Sequence, residues 1–315
     1  MSKCADVQMI EFQSAYQHIC SFIYLPFSSS AHLLICTSAH QIMNKNLPIG
    51  VFDSGLGGLT IVKAMQEALP GESLIYFGDT AHLPYGDKSP DLVKGYSLAI
   101  AQFLLSQPVK AIVIACNTAS AVAHQTVENF AGQIPVFDVI QPAVQELLSH
   151  TRNGKVGVIA TKTTIHSGVY GKQLLASRPN LKVTEKATPL LVPMIEEGWL
   201  HDRISQDVID AYMSDTGFQE IDALILGCTH YPLIKGQIEA YFRHNYHHDV
   251  YVVDSSQAVA AHVKETLSNN GLLNDGEELA RHRYFLSDYT VDFQEAAKLF
   301  LSQEITFEKK ELQAI

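Results

Sequence analysis

Apolar positions along this chain fall into two rhythms. Short β-branched runs alternate with longer stretches whose apolar residues recur every three or four positions, the repeats of a strand and of an amphipathic helix. The short runs predict strands at IGVFD (49–53), SLIYFG (73–78), KAIVIA (110–115), IPVFDV (134–139), KVGVIA (155–160), KVTEKA (182–187), DALILG (222–227), DVYVVD (249–254) and HRYFLS (282–287). Helical patterns fill 59–69, 90–105, 119–131, 206–213, 235–242 and 258–267. The third run is nearly continuous in apolar residues, as expected of a parallel strand covered on both faces. In KSPDL, Ser89 is placed to cap a helix whose first residue is Pro90. Alternation of this kind predicts an α/β fold, with mainly parallel sheets flanked by helices and right-handed crossovers.

A faint repeat runs through the pattern. IGVFDSG opens one half, and Cys116 follows Asp53 by 63 residues; VGVIATK opens the other, and Cys228 follows Ala160 by 68. AIVIACNTASA (111–121) and ALILGCTHYPL (223–233) are each an apolar run ending in a small residue, then a cysteine, then small polar groups. Two similar lobes, each ending a strand in a thiol, would produce this spacing.

Ligands of open α/β sheets gather at the carboxyl ends of strands, where both cysteines fall. A helix beginning there presents free N–H groups and a positive dipole end, which favour a thiolate. A lone cysteine in such a place is most simply a small buried hydrophobe. Two in matching contexts point instead to paired chemistry: thiols facing each other across a cleft can remove a proton from one face of a carbon and deliver one to the other. Redox exchange usually wants the thiols close in sequence. A metal held by Cys116, Cys228 and His230 lacks a fourth group at ligand spacing.

DSGLGG (53–58) also ends a strand and opens a helix, matching neither a P-loop nor G-x-G-x-x-G. Its glycines suit a tight turn and close backbone approach to a small ligand, or only the turn. Asp53 at the strand tip can accept from an ammonium or a thiol, or simply cap a helix. In GDTAHLPYG (78–86) Tyr85 is placed to bond a ligand or to pack beside Pro84. In VPMIEEG (192–198) pattern alone selects neither Glu196 nor Glu197.

Composition narrows the partners. The 315 residues suffice for two lobes, and 47% hydrophobic with 17% charged residues describes a globular protein. A formal net charge of −11 argues against a nucleic-acid surface, while leaving room for a small pocket that takes an anionic metabolite. The five cysteines (Cys4, Cys20, Cys36, Cys116 and Cys228) are odd in number and form no C-x-x-C, which suits free thiols in a reducing compartment. The stretch 12–44 holds no Asp, Glu, Lys or Arg, yet Pro26, Ser28, Ser29 and Ser30 interrupt it too much for a membrane span. With Lys3 as its sole basic residue, the start also makes a poor signal peptide. The expectation for 1–46 is a poorly ordered extension, or a mis-assigned start with Met43 as the initiator.

GVFDSGLGGLTI, GDTAHLPYG, ACNTAS and GCTHYPL together closely resemble the glutamate racemase family, within the cofactor-independent aspartate/glutamate racemase superfamily. The resemblance spans about 47–308, with all four motifs in the family's order. It implies two α/β lobes with the active site between them: 47–138 completed by 250–310, and 139–249. It implies interconversion of L- and D-glutamate without a cofactor, supplying D-glutamate for peptidoglycan, by a cytoplasmic homodimer that engages neither nucleic acid nor membrane. Cys116 and Cys228 match the two catalytic thiols, the first deprotonating D-glutamate and the second L-glutamate. Asp53 matches a carboxylate that assists the first, His230 a histidine that assists the second, and Glu196 and Asp79 acidic residues near the site. Substrate contacts fall on Asp53, Ser54, Tyr85, Gly86, Asn117, Thr118, Thr229 and His230. Such a pocket needs short donors more than basic residues, and Ser54, Asn117, Thr118 and Thr229 supply them. A sister aspartate racemase or maleate isomerase, or a binding protein that kept the fold, are the competing readings.

Overall fold

The computed structural model describes residues 44–312 except 201, 275, 277–278, 290 and 302–303; the expectations for residues 1–43 lie outside the described residues. Two wholly parallel sheets organise the chain. The first has the order β10-β9-β2-β1-β3-β4. Its members in chain order are β1 (Ile49–Asp53), β2 (Leu74–Gly78), β3 (Ala111–Ile114), β4 (Val136–Asp138), β9 (His282–Leu286) and β10 (Phe307–Lys309). The second, of order β6-β5-β7-β8, holds β5 (Lys155–Ala160), β6 (Lys182–Ala187), β7 (Ala223–Gly227) and β8 (Tyr251–Val253).

Helices connect these strands: α1 (Leu59–Ala68), α2 (Pro90–Ser106), α3 (Asn117–Ala131), α4 (Ile140–His150), α5 (Lys162–Ser167), α6 (Val169–Ser177), α7 (Leu191–Glu196), α8 (Arg203–Met213), α9 (Lys235–Asn245), α10 (Ser255–Asn269) and α11 (Val291–Leu301). The central strands β1, β2, β3 and β7 are buried along their whole length, which is why their sequences read as unbroken apolar runs. Ser89 caps α2, its Oγ accepting from Leu92 N–H at 3.5 Å. No described helix is long and apolar enough to cross a membrane.

All nine expected strands are present. The pattern missed β10, a three-residue edge strand, and the helices α4, α5, α6, α7 and α11. Pro142 in α4 is tolerated because it lies in the first turn, where its missing N–H would have no intrahelical partner, while Asp138 Oδ1 accepts from Ile140 N–H (2.6 Å) and Gln141 N–H (3.0 Å).

Register decides where the chemistry can sit. Asp53 pairs with Gly78 and Phe52 with Ile114, so the tips of β1, β2 and β3 end side by side. Ala160 pairs with both Ala187 and Gly227, which aligns the tips of β5, β6 and β7. The residues just past these six tips include Ser54, Asp79, Cys116, Thr161, Thr188 and Cys228.

Away from the tips, a buried ion pair ties down the first sheet. Lys110 Nζ lies 2.5 Å from Glu72 Oε2 and donates to the carbonyls of Lys45 (2.5 Å) and Leu272 (2.9 Å), while Glu72 Oε1 accepts from Asn274 N–H at 2.8 Å. Both side chains are essentially inaccessible to solvent.

Candidate active site

Strand tips from both sheets wall a cavity of about 180 Å³. Ser54, Tyr85, Gly86, Cys116, Asn117 and Thr118 line it from the first sheet's side, and Cys228, Thr229, His230 and Glu196 from the second's. Of the residues expected at a site, only Asp53 and Asp79 are not on this wall; each stands one layer behind it.

Cys116 is the N-cap of α3, with Sγ accepting from Ala119 N–H at 3.5 Å and lying 3.6 Å from Ser54 Oγ. The thiol is buried, and burial pushes its pKa up to about 12, helped by the charge of Asp53 and opposed by the Ala119 N–H and Ser54. The expectation that a helix start would favour the thiolate therefore fails here: two weak hydrogen bonds do not offset desolvation and a nearby carboxylate.

The second thiol sits differently. A 3₁₀ turn (Tyr231–Ile234) separates Cys228 from α9, so the strand-to-helix junction expected at both cysteines exists only at the first. Cys228 Sγ has His230 Nδ1 at 3.8 Å, and His230 Nε2 is 3.0 Å from Glu196 Oε1. Burial alone would lower the His230 pKa, but its hydrogen bonds to Cys228 and Glu196, and their charges, push it up to about 10. Protonated, both ring nitrogens donate, one to sulfur and one to carboxylate. The first thiol is thus flanked by a carboxylate and the second by an imidazolium.

Asp53 is fully buried, with Oδ2 accepting from Gly55 N–H at 3.0 Å and Oδ1 without a hydrogen-bond partner. Burial raises its pKa, against the pull of His230 and the backbone N–H groups of Gly55, Gly58 and Ser54. The glycines of DSGLGG are needed for contact. A Cβ on Gly57 would lie 2.3 Å from Thr229 Oγ1 and 2.5 Å from His230 Nδ1, and one on Gly58 would lie 2.4 Å from Asp53 Cβ. The Thr60 hydroxyl lies 2.9 Å from Gly57 O and 3.0 Å from Thr229 O, closing the same junction.

Tyr85 donates its hydroxyl proton to Asp79 Oδ2 at 2.6 Å, so what it turns to the cavity is ring and backbone. His82 Nδ1 holds the same carboxylate, at 2.8 Å from Oδ1 and 2.9 Å from Oδ2. Thr118 Oγ1 meets Thr161 Oγ1 at 3.0 Å and Thr164 Oγ1 at 3.3 Å. Asn117 Nδ2 donates to Tyr170 Oη at 2.7 Å, leaving Oδ1 buried with no partner.

The sequence reading passed over Thr161, Thr188 and Val192, which also line the cavity. The rule that ligands collect at strand ends would have found the first two, since they directly follow β5 and β6. Val192 and Glu196 had no such signal, because they lie within α7, past the three-residue turn that follows β6. Among the described residues no group of three His, Cys, Asp or Glu side chains is arranged to hold a metal ion.

The arrangement offers two buried sulfurs with opposite charged neighbours, and short hydroxyl and amide groups. It can hold a small polar anion and exchange protons with it from two sides.

Known proteins share this sequence and architecture. The glutamate racemase of Neisseria meningitidis serogroup C, serotype 2a, is 43% identical over 263 residues, taking in 83% of this chain and 95% of the relative. That of Chlorobaculum tepidum is 40% identical over 266 residues, 84% of this chain and 96% of the relative. Among solved structures, glutamate racemase from Francisella tularensis subsp. tularensis in complex with D-glutamate aligns with a TM-score of 0.79 at 41% identity, covering 85% of this chain and 98% of that one. Glutamate racemase from Thermus thermophilus in complex with β-chloro-D-alanine gives 0.76 at 38% identity, with 85% and 98% covered. Residues 49–263 match the family described as Asp/Glu/Hydantoin racemase, and with relatives this similar over most of its length the chain belongs to that family.

Proposed function

We propose that this protein interconverts L- and D-glutamate by two-thiol proton transfer at the α-carbon, without a cofactor. The observation that carries the reading is the pair of buried thiols on opposite walls of one small cavity, with unlike charges behind them. Cys228, beside the imidazolium, removes the α-proton of L-glutamate while the Cys116 thiol protonates the opposite face; in the other direction the roles exchange. Asp53 is the carboxylate that assists Cys116, its negative charge favouring the protonated thiol, and Glu196 holds His230. Ser54, Asn117, Thr118, Thr229 and the backbone at Tyr85–Gly86 bind the carboxylates and ammonium, and donors aimed at the α-carboxylate stabilise the enolate-like charge that develops there. Asp79 supports this wall through Tyr85.

The two separate sheets also support a two-lobe division, with 47–138 completed by 250–310 and 139–249 between them, and the pairing of β8 with β7 favours a second crossing a few residues later. A homodimer in the cytoplasm, supplying D-glutamate for peptidoglycan, completes the reading; sedimentation would test the dimer.

Circular dichroism of purified protein with either enantiomer, and no added pyridoxal phosphate, tests the reaction. Signal should decay to zero from both starting points, and Cys116→Ala or Cys228→Ala should each slow the decay by at least about 10³-fold, the scale of losing an acid–base group. Inertness toward glutamate with turnover of aspartate or maleate would move the protein to a sister activity.

A further inference from the structure

Tyr170 is a fully buried phenol on α6, beyond every motif considered above. Its hydroxyl receives Asn117 Nδ2 at 2.7 Å, directly after Cys116 in the chain. Its ring edge lies against Gly227, directly before Cys228: a Cβ on that glycine would fall 3.1 Å from Tyr170 Cε2. One rigid side chain thus spans from the neighbour of one thiol to the neighbour of the other. By engaging Nδ2 it also fixes the amide of Asn117, a cavity-lining residue whose Oδ1 is buried with no partner in the protein.

We infer that Tyr170 is a positioning residue that sets the separation of the two thiol-bearing segments and aims Asn117 Oδ1 at the substrate's ammonium group. The inference rests on the glutamate reading above. An acceptor with no protein partner calls for a donor, and the ammonium is the cationic donor on glutamate. A phenol suits the task because its ring cannot fold away and its hydroxyl is held at a fixed reach. Because Oδ1 would grip the ammonium in ground state and transition state alike, its loss belongs in KM rather than kcat.

Tyr170→Phe keeps the ring and removes the bond to Asn117. The variant should raise KM for both glutamate enantiomers about tenfold, the scale of one net hydrogen bond, with kcat changed less than about threefold. Calorimetric titration should show D-glutamate binding weakened by a similar factor, with glutarate, which has two carboxylates and no ammonium, bound as by the parent. In an Asn117→Ala background the same substitution should have no further effect on KM, since its action passes through that amide. Equal weakening of D-glutamate and glutarate, full additivity with Asn117→Ala, or unaltered KM would each overturn the inference. No glutamate turnover by the parent protein would overturn the functional reading, and this inference with it.

Discussion

At the scale of single residues, His230 carries the most chemistry per atom. Its pKa stands raised, so the bonds its imidazolium makes contribute fully below about 6.5 and fade as pH climbs toward about 10. If Cys228 works beside a cation, activity from L-glutamate should hold through the neutral range and fall on approaching that upper value. Glu196→Gln removes one of the partners that raise the pKa, so the falling limb should move to lower pH, with kcat at neutral pH reduced roughly tenfold, about 1.4 kcal/mol of barrier. A pH–rate profile that superposes on the parent's would show that Glu196 does not act through His230. This pairing also marks how far residues can be read from sequence. Cys116 and Cys228 announced themselves by context, but Glu196 bonds His230 across 34 positions, from a helix with no clear period, and only the resemblance pointed to it.

At the scale of elements, the junction between DSGLGG and the turn after β7 is the tightest fit at the site. Gly57→Ala would drive a methyl into Thr229 and His230, and neither can withdraw without moving the second thiol's support. Turnover should fall by roughly 10²-fold, the scale of a displacement near 1 Å between reacting groups. The circular-dichroism assay reads this directly; full activity would mean the junction opens without cost. The central strands were the most legible because each met the same demand, burial on both faces. The elements that were missed had weaker local signals: α5 and α7 are six residues each, too short to display a helical period, and α4 begins where a strand pattern runs straight into it. Sequence similarity between the two cysteine segments also concealed a difference, since a long helix follows one and a 3₁₀ turn the other.

At the scale of the whole molecule, the Lys110–Glu72 pair joins the start of the first sheet to the chain returning from α10. Burial lowers the Lys110 pKa, yet removing the lysine alone would strand a buried carboxylate. Lys110→Met should cost roughly 3–5 kcal/mol in urea unfolding, and adding Glu72→Leu should recover part of it. An unchanged midpoint in the single variant would show that the pair carries no such weight. The two thiols of the cavity have a consequence that reaches past binding. L- and D-glutamate are mirror images of equal free energy in water, so no placement of charges can draw their equilibrium away from unity, and kcat/KM must be the same in both directions. What two thiols sharing one transferable proton would do, whatever stands behind them, is give the empty protein a short-lived memory. If the two-thiol reading holds, the protein that has released one enantiomer carries the proton on the opposite sulfur, and it must exchange that proton before it can repeat the same turnover.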